Sequence, residues 1–379
     1  MNENTGILTI NVAAVAANWR AIAAHAHPSI TSAVIKADAY GLGAAQIGPE
    51  LYRSGCRHFF FATLTEAVSV RPLLGDDAHC YLLGGVPVGG EADAVRHRLV
   101  PVLSSLSAVE RWLRWRVESG LSATAAPAAL KFDTGMTRLG LAAGELEQLL
   151  ADEARWLALS PVLLMSHLAV ADDTYNPQNK RQRDAFFALG GRAKQLQPGL
   201  LLSLANSCGI YLGRDYHADL VRPGAALYGF NPSPESASPV SGVVRLTLPV
   251  IALRTLTESA SVGYGAEYGG RKGQVLAVVA GGYADGLHRV LGPDGYGLCR
   301  GVKVPVVGRV SMDSAVFDVT AALAGGSAWV DGERLTIEVI NPDVLTLDVL
   351  TARNQALGYE VLTSLRAGRY RRIYQAEAV

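Results

Sequence analysis

Apolar and polar positions along the chain follow two regimes that meet near residue 230. In the first, short apolar runs alternate with longer stretches of helical periodicity. The runs fall at residues 33–35, 58–62, 80–83, 100–103, 128–132, 162–165, 200–204 and 220–221. Between them lie helical stretches such as 107–118 and 178–195, with an Ala-rich helical pattern at 11–26 and a candidate strand at 7–10 before it. Eight strands, each followed by enough chain for a crossover helix, predict a closed (β/α)8 barrel of the TIM type rather than an open doubly wound sheet. In the second regime, long β-like runs at 243–256, 274–279, 302–307, 315–319 and 335–340 leave room for few helices. One helix is expected at 345–357 and a closing strand at 369–374.

The Pro- and Ser-rich segment 231–239 separates the regimes and reads as a linker. The expected organisation is therefore α/β: a barrel domain over 1–232 and a mostly-β domain over 240–379. The strand at 7–10 is open to assignment to either.

Composition narrows the function classes. The 379 residues are 49% hydrophobic, and 34 Lys+Arg balance 34 Asp+Glu, so the chain carries no basic footprint for nucleic acid. The opening residues lack a basic region followed by an apolar run, so no signal peptide is expected. No apolar run reaches the roughly 18 residues of a membrane span. Cys56, Cys80, Cys208 and Cys299 are scattered without CxxC spacing, which predicts neither a zinc cluster nor a disulfide framework. No metal site is expected, and the chain reads as a cytoplasmic globular protein.

Chemistry in such a barrel sits at the carboxyl ends of the strands. The first run ends on Lys36, with Tyr40 four residues on and Gly41 and Gly43 leading into a helix near Ala44. A lysine there has two readings: a snorkelling or salt-bridged core-edge residue, or a partly desolvated amine able to form a Schiff base. The fifth run leads into Lys131 and Arg138, the sixth into His167, the seventh into Asn206 and Ser207, and the eighth into Arg222, Gly224 and Ala225. Singly these residues suit a core histidine, a helix cap and a paired arginine. Together around one mouth they suit an anionic ligand with a carbonyl group. Backbone N–H groups at Ser207 and at Gly224–Ala225 can cradle a phosphate, and a phosphate beside an imine-forming lysine points to pyridoxal phosphate. The Gly41-Leu-Gly43 pair is not a dinucleotide fingerprint, since the third glycine is missing.

Eight motifs, in one order and nearly end to end, resemble the alanine racemase family. They are Val34-Ile-Lys-Ala-Asp-Ala-Tyr-Gly41, Lys131-Phe-Asp-Thr-Gly-Met-Thr-Arg-Leu-Gly140, Ala205-Asn-Ser207, Val221-Arg-Pro-Gly224, Val262-Gly-Tyr-Gly265, Gly282-Tyr-Ala-Asp-Gly286, Gly308-Arg-Val-Ser-Met-Asp313 and Gly358-Tyr-Glu360. The resemblance implies pyridoxal phosphate bound to Lys36, with Lys36 and Tyr264 as catalytic bases on opposite faces of the substrate. It places Tyr264 in the mouth of a partner subunit, hence a head-to-tail homodimer with composite sites.

It further implies Arg222 facing the pyridine nitrogen and His167 on the ring. Tyr40, Asn206, Ser207, Gly224, Ala225 and Tyr359 would bind the cofactor and its phosphate. Arg138, Lys131, Met312, Asp313 and Tyr283 would line the substrate, with Lys131 often carbamylated in the family. Asp172, Arg289 and Arg309 match an entry corridor. Two positions depart from the family pattern: Leu42 where histidine is common, and Ala225 where isoleucine is common. The implied reaction is interconversion of L- and D-alanine, for cell-wall precursor supply or alanine catabolism. A serine or broader racemase is the enzymatic alternative, and a non-catalytic cofactor-binding protein the other.

Overall fold

The computed structural model describes residues 5–233, 235–287, 295–324, 335–351 and 358–376. Two compact units emerge: Val15–Ala39 with Gly43–Val240, and the chain through Ala14 together with Tyr40–Leu42 and everything from Ser241 on.

The first unit is built on a parallel sheet of seven strands in sequence order. They are Ala33–Val34, His58–Phe61, His79–Leu82, Leu99–Leu103, Ala129–Lys131, Leu163–Met165 and Leu201–Ser203. An eighth short strand, Leu220–Val221, reaches both edges of that sheet. On one side Asp219 N donates to Leu202 O (3.0 Å) and Arg222 N to Ala205 O (2.9 Å). On the other, Leu220–Val221 pairs in parallel with Ile30–Thr31, and Ser32 N donates to Val221 O and Val34 N to Pro223 O (both 3.0 Å). The sheet is thereby closed, as the alternation predicts. Its strands are buried on both faces, which is why they read as unbroken apolar runs such as Phe59-Phe60-Phe61 rather than as alternating ones.

Helices cover the barrel and start where the caps are. Ser105 accepts from Ala108 N (3.2 Å) at the head of Leu106–Glu118, and Asn176 with Pro177 opens Pro177–Leu196.

The second unit is mostly β. The strand Ile7–Asn11 lies in it, antiparallel to Val244–Thr255 and parallel to Arg371–Gln375. The long strand Val244–Thr255 pairs from Leu246 to Pro249 with Thr336–Ile340 and from Val250 on with Val275–Ala280, the latter pairing interrupted by a register shift between Val250 and Ala252. A bulge of this kind bends one strand so that it serves two sheet segments. The hairpin Tyr296–Cys299 to Val302–Pro305 turns on Arg300 and Gly301, both at positive φ, as a two-residue hairpin turn requires.

The run expected at 302–307 is a strand over Val302–Pro305, and its pairing continues past it: Val306 N donates to Gly295 O (2.8 Å) and Val307 N to Val316 O (2.9 Å). The helix expected over 345–357 begins at Leu347 and is described to Thr351; residues 352–357 lie outside the described residues, and Gly358–Ser364 is helical.

Candidate active site

Lys36 sits where the first barrel strand ends. Val34 and Ile35 before it are buried, and the Tyr228 hydroxyl donates to Val34 O (3.0 Å), tying off the strand. Directly after Lys36 the backbone turns left-handed: Ala37, Asp38, Ala39 and Tyr40 have φ of 53°, 56°, 53° and 57°. Such a turn costs L-residues about 1–2 kcal/mol each, and alanines there have no local reason to adopt it. It is held by Ala39 N to Ile35 O and Gly43 N to Asp38 O (both 2.9 Å), and by the Asp38 carboxylate accepting from Ala44 N (2.8 Å). Burial lowers the Lys36 amine, Arg138 lowers it further, and Glu66 opposes both.

Lys131 ends the fifth strand. The loop beyond folds back, with Asp133 N donating to Leu141 O and Leu141 N to Lys131 O (both 2.9 Å). Gly140 allows this closure: at φ 133° a Cβ would lie 2.6 Å from Asp133 N. Burial works against the Asp133 carboxylate, yet N–H groups of Gly135, Thr137 and Met136, with Lys131, bring it below its ordinary value. Arg138 stands exposed on this loop. Lys131 is buried, and desolvation, then Arg222 and Arg138, pull its amine down to about 8.

Arg222 is 3% exposed and donates to Ser203 Oγ, Ser166 O and Leu204 O, the ends of two neighbouring strands. Burial brings its guanidinium to about 9, so it remains a cation at neutral pH. His167 follows Ser166. Burial, then Arg222, Lys131, Arg138 and Lys36, hold its imidazole well below the usual value, so it is neutral. Asn206 caps the helix Ser207–Tyr211 through Gly209 N (2.9 Å), which commits its side-chain oxygen. Ser207 Oγ accepts from Gly224 N (3.0 Å) and Ala226 N (3.2 Å), gathering the loops after the seventh and eighth strands. Ala225 opens the 3-10 turn Ala225–Tyr228.

The barrel unit therefore brings Lys36, Lys131, Arg138, His167 and Arg222 within mutual electrostatic reach. Cations outnumber the carboxylates named among their influences, Asp133 and Glu66. Such a set fits a phosphorylated, ring-bearing aldehyde: a strongly anionic ligand answers the excess charge, and the lowered lysine amine answers the carbonyl.

In the second unit, Tyr264, Met312 and Tyr283 are exposed at 72%, 59% and 42%. Their loops are packed backbone to backbone. Tyr283 N donates to Ser311 O (3.0 Å), Ala284 N to Met312 O and Gly281 N to Asp313 O (both 2.9 Å). A Cβ on Gly282 would lie 2.3 Å from Ser311 O, and one on Gly308 2.7 Å from Val262 O, so glycine is obligatory at both. Tyr264 lies in the turn joining the hairpin strands Ala260–Val262 and Tyr268–Gly270, and the Arg309 guanidinium beside Gly265 is paired with Glu267. Tyr40 and Tyr359 belong to this unit as well; burial, then Tyr359, pushes the Tyr40 phenol up to about 12. Asp172 is exposed, and Arg289 lies outside the described residues.

Several supporting residues carry no signature in the sequence. Gln182 is fully buried. Its carbonyl accepts from Ala169 N (2.8 Å), and its amide donates to His167 O (3.0 Å) and Thr134 Oγ1 (3.1 Å). Asp285 is 2% exposed and accepts from Arg369 Nε (2.8 Å), Arg369 N and Gly282 N (both 3.1 Å), fixing the Tyr283 loop.

Comparison with known proteins gives a consistent result. The family model for the alanine racemase N-terminal domain matches residues 10–232, and that for the C-terminal domain matches residues 243–374. Alanine racemase of Rhodospirillum rubrum is 43% identical over 374 residues, covering 98% of this chain and 96% of that protein. A catabolic alanine racemase of Rhizobium johnstonii is 41% identical, covering 98% and 95%. The crystal structure of alanine racemase from Bartonella henselae, with covalently bound pyridoxal phosphate, aligns at a TM-score of 0.87 and 36% identity, covering 98% and 99%.

Proposed function

The chain belongs to the alanine racemase family, and we propose on that premise that it interconverts L-alanine and D-alanine with pyridoxal phosphate as its cofactor. The observation that carries the assignment is the placement of Lys36, Lys131, His167 and Arg222 at the strand ends of one barrel unit, with Arg138 on the loop after the fifth strand.

The bound cofactor supplies an electron sink that acidifies the substrate's Cα proton. Inversion at that carbon requires a proton taken from one face and one delivered to the other, which two fixed bases accomplish without either crossing the plane. Lys36 Nζ serves one face; its lowered pKa enlarges the free-amine fraction that can accept a proton. Tyr264 serves the other. Its phenol is exposed in a single chain, alongside the exposed Met312 and Tyr283, which suits insertion into the barrel mouth of a second copy. The proposed assembly is a head-to-tail homodimer in which each mouth is completed by Tyr264 of the partner subunit.

Arg222 would stand at the ring nitrogen. A guanidinium has only donors, so it would leave that nitrogen unprotonated and discourage side reactions that need a stronger sink. His167 would lie against the ring as a neutral imidazole. Ser207 and the amide of Ala225 would hold the phosphate, Gly224 N being engaged by Ser207 Oγ, and Asn206 fixes the helix that presents Ser207; the family resemblance adds the phenols of Tyr40 and Tyr359. Arg138 would take the substrate carboxylate, and the exposed Met312 and Asp313 would reach it from a second copy of the chain. Lys131 supports Arg138; an amine near 8 has enough free base to capture carbon dioxide as a carbamate, releasing a proton. Tyr283 and Tyr359 narrow the space at Cβ toward a methyl group. All four cysteines are free thiols, three of them buried, which suits a reducing cytoplasm. No described helix is long and apolar enough to cross a membrane.

The test is a chiral-chromatography time course with L-alanine and, separately, L-serine, using cofactor-loaded enzyme beside Lys36→Ala and Tyr264→Phe variants. Conversion of L-alanine to an equal mixture, lost in both variants, is the expected result. Faster conversion of serine moves the assignment to a serine racemase. No conversion of either by protein that retains its cofactor sinks the enzymatic reading. Deletion of the gene distinguishes biosynthetic from catabolic duty: a requirement for added D-alanine marks cell-wall supply.

A further inference from the structure

The left-handed turn after Lys36 has an anchor in a neighbouring βα unit. Glu66 lies in the first turn of the helix Leu64–Val70, whose N-cap Thr63 accepts from Glu66 N (3.3 Å). Thr63 and Glu66 have capping-box spacing, in which the glutamate ordinarily reaches back to the N–H of the cap residue. Here its two oxygens go elsewhere. One accepts from Ala62 N (2.9 Å), just past the strand His58–Phe61, and the other from Ala37 N (3.1 Å), the first residue of the left-handed turn. The two strands are already neighbours, paired at Ala33–Phe59 and Val34–Phe60 and joined by Ile35 N to Phe60 O (3.0 Å). Glu66 carries that pairing one step beyond the point where the ladder ends.

We infer that Glu66 is a positioning residue for Lys36. Its carboxylate holds the strained Ala37 backbone and so fixes the direction in which the Lys36 side chain leaves the strand. Three observations support this. Four successive non-glycine residues at positive φ need external support, since there each Cβ crowds the carbonyl oxygen that follows it. Hydrogen bonds to an ionised acceptor are roughly twice as strong as neutral ones, and the helix N-terminus favours the charge there. The same carboxylate is the anion acting on the Lys36 amine against the pull of burial and Arg138. A glutamine can satisfy only one of the two N–H groups with its single carbonyl; its NH2 would face the other donor.

The inference rests on Lys36 being the cofactor-bearing base, so Lys36→Ala is run beside the test. Holoenzyme carrying Glu66→Gln is compared with wild type for kcat, for KM with L-alanine, and for the fraction of Lys36 carrying cofactor after borohydride reduction, read by peptide mass spectrometry. The expected result is a kcat lowered at least tenfold, KM moved less than threefold, and a smaller labelled fraction at limiting cofactor. Adding Ala37→Gly to Glu66→Gln removes the Cβ penalty at that φ and is expected to recover kcat at least threefold. If Glu66→Gln does not fold, Glu66→Asp replaces it, because its shorter carboxylate cannot span Ala62 and Ala37. A kcat within twofold of wild type overturns the inference, and so does a loss that Ala37→Gly leaves unchanged. Retained activity in Lys36→Ala overturns the underlying assignment instead.

Discussion

The fully buried side chain of Gln182 donates to the backbone carbonyl of His167 at 3.0 Å. With its bonds to Ala169 and Thr134, it couples the loop carrying His167 to the loop carrying Arg138. Removing it takes a partner from the part-buried Ala169 N and His167 O. Gln182→Leu is expected to cost about 1–2 kcal/mol, since water can reach part of what the amide leaves. Urea denaturation of the holoenzyme checks the stability, and kcat/KM for alanine should fall with it. A variant within about 0.5 kcal/mol of wild type contradicts this coupling.

Gly282 admits no side chain, because its Cβ would sit 2.3 Å from Ser311 O and 2.5 Å from Asp313 N. Those atoms are backbone and cannot rotate away. Gly282→Ala must separate the Tyr283 and Met312 loops, and is expected to lower kcat/KM for alanine at least tenfold (about 1.4 kcal/mol in the transition state). Cofactor content should hold, since the barrel is untouched. Steady-state kinetics with an absorbance measurement of bound cofactor decides the matter.

His58 is buried at the start of the second barrel strand, stacked 4.7 Å from His79 and hydrogen-bonded through Nδ1 to the Tyr81 hydroxyl (3.2 Å). Burial, with His79 adding, lowers its pKa from 6.5 to about 4. The unfolded chain therefore binds a proton between pH 6.5 and 4 that the folded chain refuses. Stability is full above the unfolded value and falls as pH drops through this window, by about 3 kcal/mol in all. Chemical denaturation at successive pH values should show this slope in wild type and a shallower one in His58→Gln. Equal slopes would exclude His58 as a source.

Asp285 binds Arg369 and two backbone N–H groups from a buried position. Burial raises its carboxyl, but the Arg369 side chain and backbone and Gly282 N more than offset this, so the net shift is downward. A depressed carboxyl stabilises the fold above its unfolded pKa, and that stability is lost as pH falls below it. Asp285→Asn is expected to cost about 1–3 kcal/mol at pH 7 and progressively less in acid. Thermal melts at pH 7 and pH 3 measure both. A loss independent of pH would contradict the charged role.

Hydrophobic periodicity alone was enough for the barrel, for the β-rich second half and for the strand-end positions of Lys36, Lys131, His167 and Arg222. Those features are local: a strand buried on both faces must be apolar at every position, and a lysine that ends such a run stands out against it. The motifs added the family, and the full-length relatives agree with it. What the sequence could not disclose depends on groups far apart along the chain. Leu220–Val221 meets the barrel's opening edge through Ile30–Thr31, a strand of two residues that is too short to show a period. The left-handed turn from Ala37 to Tyr40 runs through residues whose own preference is the right-handed form, so only the surrounding hydrogen bonds explain it. Gln182, Glu66 and Asp285 look in sequence like ordinary polar residues on helices and turns. Folding buries Gln182 and Asp285 and brings each of the three against backbone N–H or C=O groups left over where strands and loops end, and that geometry exists only once the tertiary structure has formed.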